Sequence, residues 1–177
     1  MKFPFMVYKI VKYPDPILEQ KSVPVTAFGT EELRQLVANM FETMYASKGV
    51  GLAAPQIGIS ERITVIDCAP ANDGEPRPIV LINPEVIRKE GKQTGEEGCL
   101  SIPGFREDVT RAKNAVVRAY NEMGETIEVT GEDLLARAMQ HEIDHLNGVL
   151  FLSHLSPLKR DLIKRKIKKL IREHEWD

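Results

Sequence analysis

Cysteine is scarce in this sequence: Cys68 and Cys99 are the only two among 177 residues. Two thiols cannot supply the several bridges of a small disulfide-rich scaffold, which excludes that class of secreted protein. In a reducing compartment such cysteines serve as core residues, metal ligands or nucleophiles. Both thiols therefore enter the search for a functional site.

Long apolar runs and a surplus of one charge are also missing. No stretch of about 18 uninterrupted apolar residues is present, so a membrane-spanning helix is not expected. The net charge is −2, from 24 basic and 26 acidic residues, which provides no overall basic field for DNA. Pro4 and Lys9 interrupt the first residues before an apolar region of signal-peptide length develops. We expect a cytoplasmic protein that binds neither membrane nor specific DNA.

What the sequence does contain is typical of one globular domain. Hydrophobic residues make up 42% and charged residues 28%, ordinary proportions for a chain that buries a core. The length fits a single domain spanning residues 1–177. No repeat, low-complexity segment or linker divides it.

Hydrophobic periodicity and capping residues predict the secondary structure. Thr30 can cap a helix that carries an apolar stripe and ends at Gly49. Runs rich in Val, Ile and Thr predict strands at 63–68, 79–82, 115–120 and 126–129, the last two joined by a hairpin-like turn. Another helix begins at Asp133 and stops near Gly148. This order indicates the α+β class with at least part of the sheet antiparallel.

A basic helix is predicted at about 157–173. Ser156 and Pro157 form a helix start, and eight basic residues against one acidic residue between 159 and 172 give this stretch a charge of +7. Its apolar residues recur at helical spacing and predict one docked stripe: Leu158, Leu162, Ile163, Ile167, Leu170 and Ile171. The basic face is either simply solvated or binds ribosomal RNA phosphates. A membrane-surface helix is a weaker reading, because Trp176 is the only aromatic anchor nearby.

The sharpest local motif is the H-E-x-x-H pattern at 141–145. Residues four apart on a helix face the same way, so His141 and His145 can hold one metal ion while Glu142 reaches a water on it. Two surface histidines on an amphipathic helix are the alternative. A catalytic metal site usually takes three protein ligands, so a third is needed.

The residues alone leave the third ligand open. Metzincin proteases place a histidine three residues after the glycine that corresponds to Gly148, but Phe151 stands there. Cys68 closes an apolar strand and is expected to be a core residue. Cys99 is expected in a loop bounded by glycine and proline, where a thiolate can be presented. The candidates are Cys68, Cys99, His154, His174, Glu173 and Glu175, with Cys99 favoured.

Three sequence blocks together resemble the peptide deformylase family. They are GVGLAAPQ at 49–56, EGCLS at 97–101 and QHEIDHLNG at 140–148, in the family's order, and the resemblance covers almost the whole chain. It implies mainly antiparallel sheets packed around a central helix that carries the H-E-x-x-H motif, with an N-terminal helix and a C-terminal amphipathic helix. The activity implied is hydrolysis of the N-formyl group from the formyl-methionine of new polypeptides, with release of formate.

The resemblance also implies the metal ligands, which are Cys99, His141 and His145. They would bind one divalent ion per chain and leave a fourth position for water. Fe(II) is the implied metal in the cell. One thiolate and two imidazoles also suit zinc, nickel or cobalt, which purified protein can carry.

The family's catalytic roles carry over to three further positions. By the family pattern Glu142 is the general base for water at the metal and later returns the proton to the leaving amine. The side-chain amide of Gln56 and the backbone N–H of Leu100 match the donors to the oxygen that becomes negative. These assignments come from the resemblance and are expectations here.

A methionine side chain also needs an apolar pocket. The residues expected to line the substrate site are Val50, Gly51, Leu134 and Ala138. Gly51 would let a substrate backbone come close, and an extended peptide could add to this segment as a strand. Arg137 and Gly95 fall where apolar side chains are expected. Glu97 and Arg106 are candidates for an ion pair that positions the loop, or for two solvated side chains.

Two other functions are consistent with parts of the sequence. An H-E-x-x-H zinc peptidase would cleave internal peptide bonds and is disfavoured by Phe151. A non-catalytic ribosome- or RNA-binding module would use the metal structurally, with four protein ligands, and would tolerate loss of Glu142.

Overall fold

The structure, a computed structural model, describes residues 4–176, which form three α-helices and seven β-strands. Residues 1–3, at the start of the segment considered as a signal peptide, and residue 177 lie outside the described residues. In chain order the elements are α1 (Glu31–Ala46), β1 (Gly51–Ala53), β2 (Ile63–Ile66), β3 (Ile79–Glu90), β4 (Gln93–Cys99), β5 (Ile102–Arg111), β6 (Asn114–Tyr120), β7 (Thr126–Glu132), α2 (Asp133–Leu146) and α3 (Pro157–Arg172).

The first helix begins as the sequence predicts and ends earlier. The Thr30 side chain accepts a hydrogen bond from the backbone N–H of Leu33 at 3.1 Å, which caps α1. The helix ends at Ala46 rather than at Gly49, and Lys48, with a φ of 55°, makes the left-handed turn that follows it. Gly49 has a different role: a Cβ there would lie 2.9 Å from the Leu100 side chain. A side chain at this position would require the end of the Leu100 side chain to shift.

A five-stranded antiparallel sheet lies between α1 and α2. Its strand order is β1-β2-β3-β6-β7, so β1 is an edge strand. Alternate residues of β2 face opposite sides, with Ile63 and Val65 packing in the α1 cluster and Ile66 in the cluster that contains Met139 of α2. The sheet therefore has a helix on each face, and its hairpin from β6 to β7 is the predicted one.

The second helix is central because a separate two-stranded sheet packs on its other side. Strands β4 and β5 pair with each other, and Arg137 and Gln140 of α2 bond to the backbone of this hairpin and of the residue that follows it. The predicted α+β class, with antiparallel sheets around the helix that carries the H-E-x-x-H motif, is confirmed. Strands β4 and β5 themselves, rich in glycine and charge, were not predicted as strands.

The last helix docks on the hairpin side through a narrower stripe than predicted. Ser156 caps it, accepting from the N–H of Lys159, and Ile163 and Ile167 are buried. Leu158, Leu162 and Ile171 are 72%, 46% and 40% exposed, so half of the predicted stripe faces solvent. Neighbouring helical residues such as 162 and 163 point about 100° apart, and only one of them can face the domain. Among residues 4–176, no helix has the length and apolarity needed to cross a membrane.

Candidate metal centre and active site

Two histidines and one cysteine bring their donor atoms together at the buried face of α2. His141 and His145 lie one helical turn apart, and Cys99 is the last residue of β4. The two Nε2 atoms are 3.1 Å apart, and Cys99 Sγ is 3.3 Å from His145 Nε2. All three donor atoms lie within 4.8 Å of one another.

This donor set fits a divalent transition metal. Bond lengths of about 2.1 Å to nitrogen and 2.3 Å to sulfur, at tetrahedral angles, place donors roughly 3.3 to 3.6 Å apart. The observed separations of 3.1 and 3.3 Å are close to these values. Three buried lone pairs that point at one another cannot all receive a hydrogen bond. One cation can bind all three.

A buried carboxylate, Glu97, holds the first histidine in orientation. Its Oε1 accepts from His141 Nδ1 at 2.5 Å, which leaves the Nε2 lone pair of that ring directed at Cys99 and His145. Burial alone would raise the pKa of Glu97, but hydrogen bonds from His141 and Arg111 outweigh it and hold the pKa well below its usual range. Glu97 is therefore ionised and fixes the tautomer that a metal ligand needs.

Two arginines neutralise Glu97, and the network continues outward. Arg111 donates to Glu97 at 2.6 and 3.1 Å, and Arg137 donates at 2.7 Å. Arg111 also donates to Asp144 at 2.6 Å, and Asp144 contacts His154 at 2.8 Å. These contacts connect His141, a candidate metal ligand, to His154, whose side chain is partly exposed.

The two histidines differ in their proton affinity in the metal-free chain. Burial lowers the pKa of both, but hydrogen bonds with Cys99 and Glu97 raise that of His141 well above 6.5. Burial and the neighbouring His141 lower the pKa of His145 well below 6.5. His141 therefore holds a proton more tightly than His145 does, and binding of a metal ion would displace it.

Glu142 is the buried acid of the site. It is 4% exposed, and its Oε2 has no hydrogen-bond partner among residues 4–176. Burial raises its pKa to about 7. Gly51 makes room for it, because a Cβ there would lie 2.6 Å from Glu142 Oε1. The absence of a side chain at Gly51 thus serves the approach of Glu142, in addition to the substrate approach expected from sequence.

Gln56 presents its amide N–H₂ group to the same centre. Its Oε1 accepts from the N–H of Ala53 at 3.0 Å, which fixes which end of the amide faces inward. Its Nε2 donates to Ser101 Oγ at 3.2 Å and lies 3.5 Å from Cys99 Sγ. Leu100, whose backbone N–H directly follows Cys99, lies in the two-residue turn between β4 and β5.

A cleft of about 560 Å³ opens onto these groups. The four residues expected to bind substrate all line it: Val50, Gly51, Leu134 and Ala138. So do Gln56, Cys99, Leu100, His141 and Glu142, whereas His145 lies behind them. Arg137 also lines the cleft, but its guanidinium turns to Glu97. A Cβ at Gly95 would lie 3.4 Å from this guanidinium, which is an ordinary contact.

Two expectations about the Cys99 segment are wrong. The segment is not a loop, because β4 runs to Cys99 and β5 starts at Ile102. Glu97 does not pair with Arg106; Arg106 pairs with Glu96 at 2.5 Å on the exposed face. Strand alternation is the reason, since residues 96 and 106 share one face of the hairpin and residues 97 and 111 share the other. Sequence reasoning missed Arg111, because its pairing with Glu97 depends on the register of a hairpin that was not predicted.

The second cysteine stays apart from the donor set. Cys68 is partly buried and packs against the cluster between the sheet and α2. Burial, with Asp67 and Glu142 nearby, raises the pKa of its thiol to about 11. It behaves as the core residue expected from the sequence.

The chain is similar to known peptide deformylases in sequence and in structure. The family model described as polypeptide deformylase matches residues 7–161. A peptide deformylase from Acidobacterium capsulatum is 59% identical over 171 residues, covering 97% of this chain and 99% of that protein. A crystal structure of a peptide deformylase from Legionella pneumophila superposes with a TM-score of 0.87 at 46% identity, covering 97% and 99% of the two chains. One from Ehrlichia chaffeensis in complex with actinonin gives 0.85 at 39% identity, covering 92% and 96%.

Proposed function

The chain belongs to the polypeptide deformylase family, and from this premise we propose how its own residues perform the reaction. Enzymes of this family are metal-dependent hydrolases that remove the N-formyl group from nascent peptides, so N-formylmethionyl peptides are the substrate. The observation that carries the residue-level proposal is the convergence of Cys99, His141 and His145 beside the buried Glu142.

Cys99, His141 and His145 would hold the metal ion. A bound divalent cation polarises the formyl oxygen and makes a water molecule acidic enough to be deprotonated near neutral pH. We propose Fe(II) as the ion in the cell, whereas zinc, nickel or cobalt can replace it in purified protein. Protein prepared without oxygen is expected to contain about one iron per chain by elemental analysis, and a preparation dominated by zinc would contradict this.

Glu142 would move the proton. Its carboxylate takes a proton from the attacking water and delivers it to the amine as the C–N bond to the formyl carbon breaks. Burial supports this role, because a carboxyl group whose pKa lies near 7 can both accept and release a proton at neutral pH. The products are formate and a free N-terminal amine.

Gln56 and Leu100 would stabilise the negative charge that develops on the formyl oxygen. The Gln56 amide is anchored through its oxygen, so its N–H groups are positioned before substrate arrives. Preorganised donors of this kind cost no reorganisation during the reaction. Val50, Leu134 and Ala138 would contact the methionine side chain, and Gly51 in the edge strand β1 would let the extended peptide pair beside it.

Formate release tests this function. Protein purified without oxygen, stripped with a chelator and reloaded with Fe(II) or Ni(II), is assayed on a formyl-Met tripeptide beside the stripped sample. We expect turnover only after metal is restored. Cleavage of internal peptide bonds would indicate a peptidase, and a folded, metal-loaded sample with neither activity would favour a binding module.

We further propose that the enzyme is cytoplasmic and that α3 contacts the ribosome. Its exposed lysines support contact with RNA phosphates, since the surface of the helix has a strong positive charge. Co-sedimentation with ribosomes should weaken steeply with salt and should weaken further when Lys168 and Lys169 are replaced by glutamate. Unchanged sedimentation of that variant would contradict the proposal.

A further inference from the structure

The segment at residues 11–13 is bonded to the backbone of Gln56 and of Ser101, the residue that follows Leu100. The N–H of Val11 donates to the backbone carbonyl of Gln56 at 2.7 Å. The N–H of Tyr13 donates to the carbonyl of Ser101, the residue after Leu100, at 2.9 Å. Gln56 and Ser101 also bond directly through Nε2 and Oγ at 3.2 Å. Residues 11–13, Gln56 and Ser101 are therefore connected in a closed ring of hydrogen bonds next to the active site.

Trp176, near the C-terminal end of the chain, is hydrogen-bonded to this segment. Its indole N–H donates to the carbonyl of Tyr13 at 2.6 Å, a contact between residues 163 positions apart. The side chain is 9% exposed and packs in the cluster that contains Ile102 and Phe151. Its ring also lies 6.0 Å from the ring of Phe105, a residue that lines the substrate cleft.

We propose that Trp176 is a positioning residue for the oxyanion donors, acting through Tyr13 on the Leu100–Ser101 turn and on Gln56. The inference rests on the proposed roles of Gln56 and Leu100. The tryptophan does not touch substrate or metal. It holds the carbonyl of Tyr13, the N–H of Tyr13 holds Ser101, and the turn that carries the Leu100 N–H is thereby fixed relative to Gln56.

Anchoring of α3 does not account for this hydrogen bond. Ile163 and Ile167 already bury the inner face of that helix, and packing requires no directional donor. A buried indole N–H paired with a backbone carbonyl instead fixes one orientation, and its loss leaves that carbonyl without a donor. The effect should therefore appear in catalysis more than in the docking of α3.

The expected effect on kcat and KM depends on the stage of the reaction at which the oxyanion donors act. A donor that is stronger in the transition state than in the bound substrate lowers kcat and kcat/KM equally when it is misplaced. Complete removal of such a donor costs about 100- to 1000-fold in kcat. A displaced but present donor should cost less, and we expect a loss of about 5-fold with KM unchanged.

The test compares two variants of the full chain loaded with the same metal. Trp176→Phe keeps an aromatic ring in the cluster and removes the N–H donor together with some buried volume. Ile167→Ala is the control, because it removes buried volume from the same cluster and leaves the hydrogen bond from Trp176 to Tyr13 in place. For each, the readouts are kcat and KM on a formyl-Met tripeptide, metal content, the melting temperature, and amide hydrogen exchange at Val11 and Tyr13.

The proposal expects Trp176→Phe to lose about 5-fold in kcat at full metal content, with faster exchange at Tyr13. Ile167→Ala should melt earlier but keep kcat within about 2-fold. Unchanged kcat in Trp176→Phe, an equal loss in both variants, or a loss explained by missing metal would overturn it. If wild-type protein releases no formate, the proposed function fails, and unaltered exchange at Tyr13 would still overturn this inference independently.

Discussion

Two neighbouring glutamates in β4 illustrate how strongly burial changes the role of a residue. Glu97 is buried and bonds to His141, Arg111 and Arg137, whereas Glu96 pairs with Arg106 on the solvent face. A buried charge is costly unless it is paired, and removing one partner leaves the others uncompensated. An exposed pair contributes little because water and salt screen it.

Replacing Glu97 by alanine should therefore destabilise the protein by about 3 to 5 kcal/mol. Metal affinity should fall about 10- to 100-fold, because His141 loses the acceptor that orients its ring. Glu96→Ala is the matched control and should change the free energy of unfolding by less than about 1 kcal/mol. Denaturant titration and metal competition measure both quantities, and equal effects of the two variants would contradict the assignment.

Glu142 should make the metal-free protein sensitive to pH. Its pKa is raised by burial from 4.5 to about 7. The folded state thus retains a proton that the unfolded chain has released between these pH values, and stability falls as pH rises through this window. This contribution is fully present below about pH 4.5 and is lost above about pH 7.

Glutamine cannot ionise, so the stability of metal-free Glu142→Gln should not fall in this way as the pH rises from about 4.5 to about 7. We expect the variant to be more stable than wild type at pH 8, with a smaller difference at pH 5. Denaturant unfolding of both proteins at the two pH values measures this. A variant less stable than wild type at pH 8 would contradict the buried, raised pKa.

At the scale of elements, the sequence predicts the helices and the metal-binding helix face better than the hairpin. Capping residues and periodic stripes predict α1, α2 and α3, since these signals are local. The H-E-x-x-H spacing identifies two candidate ligands for the same reason. Strands β4 and β5 escape prediction because glycines and charges replace the β-branched residues that mark a strand. The Glu97–Arg111 pair requires a hairpin register that no local pattern supplies.

In α3, buried and exposed apolar residues of the same predicted stripe should contribute differently to the free energy of unfolding. Ile167→Ala should cost about 2 to 4 kcal/mol, because its side chain is 1% exposed and its removal leaves a cavity. Leu162→Ala, with 46% of the side chain exposed, should cost less than about 1 kcal/mol. Melting curves of both variants decide this, and comparable losses would mean that Leu162 is docked as the sequence pattern predicts.

At the scale of the whole molecule, the site joins parts of the chain that are far apart in sequence. The hairpin contributes Cys99 and Leu100, α2 contributes the two histidines and Glu142, and the turn after β1 contributes Gln56. A metal ion bound by the hairpin and α2 would couple their packing, so metal binding should also stabilise the fold. We propose that this assembly hydrolyses formyl amides, with Glu142 as the group that moves the proton.

The most direct test is the rate of formate release by Glu142→Gln compared with wild type, both loaded to the same measured metal content. The glutamine side chain has nearly the same shape and cannot accept the proton from water. We predict that kcat falls by about 100- to 10,000-fold while one metal ion per chain remains bound. A fully metal-loaded variant that retains turnover within about 10-fold of wild type would contradict the account.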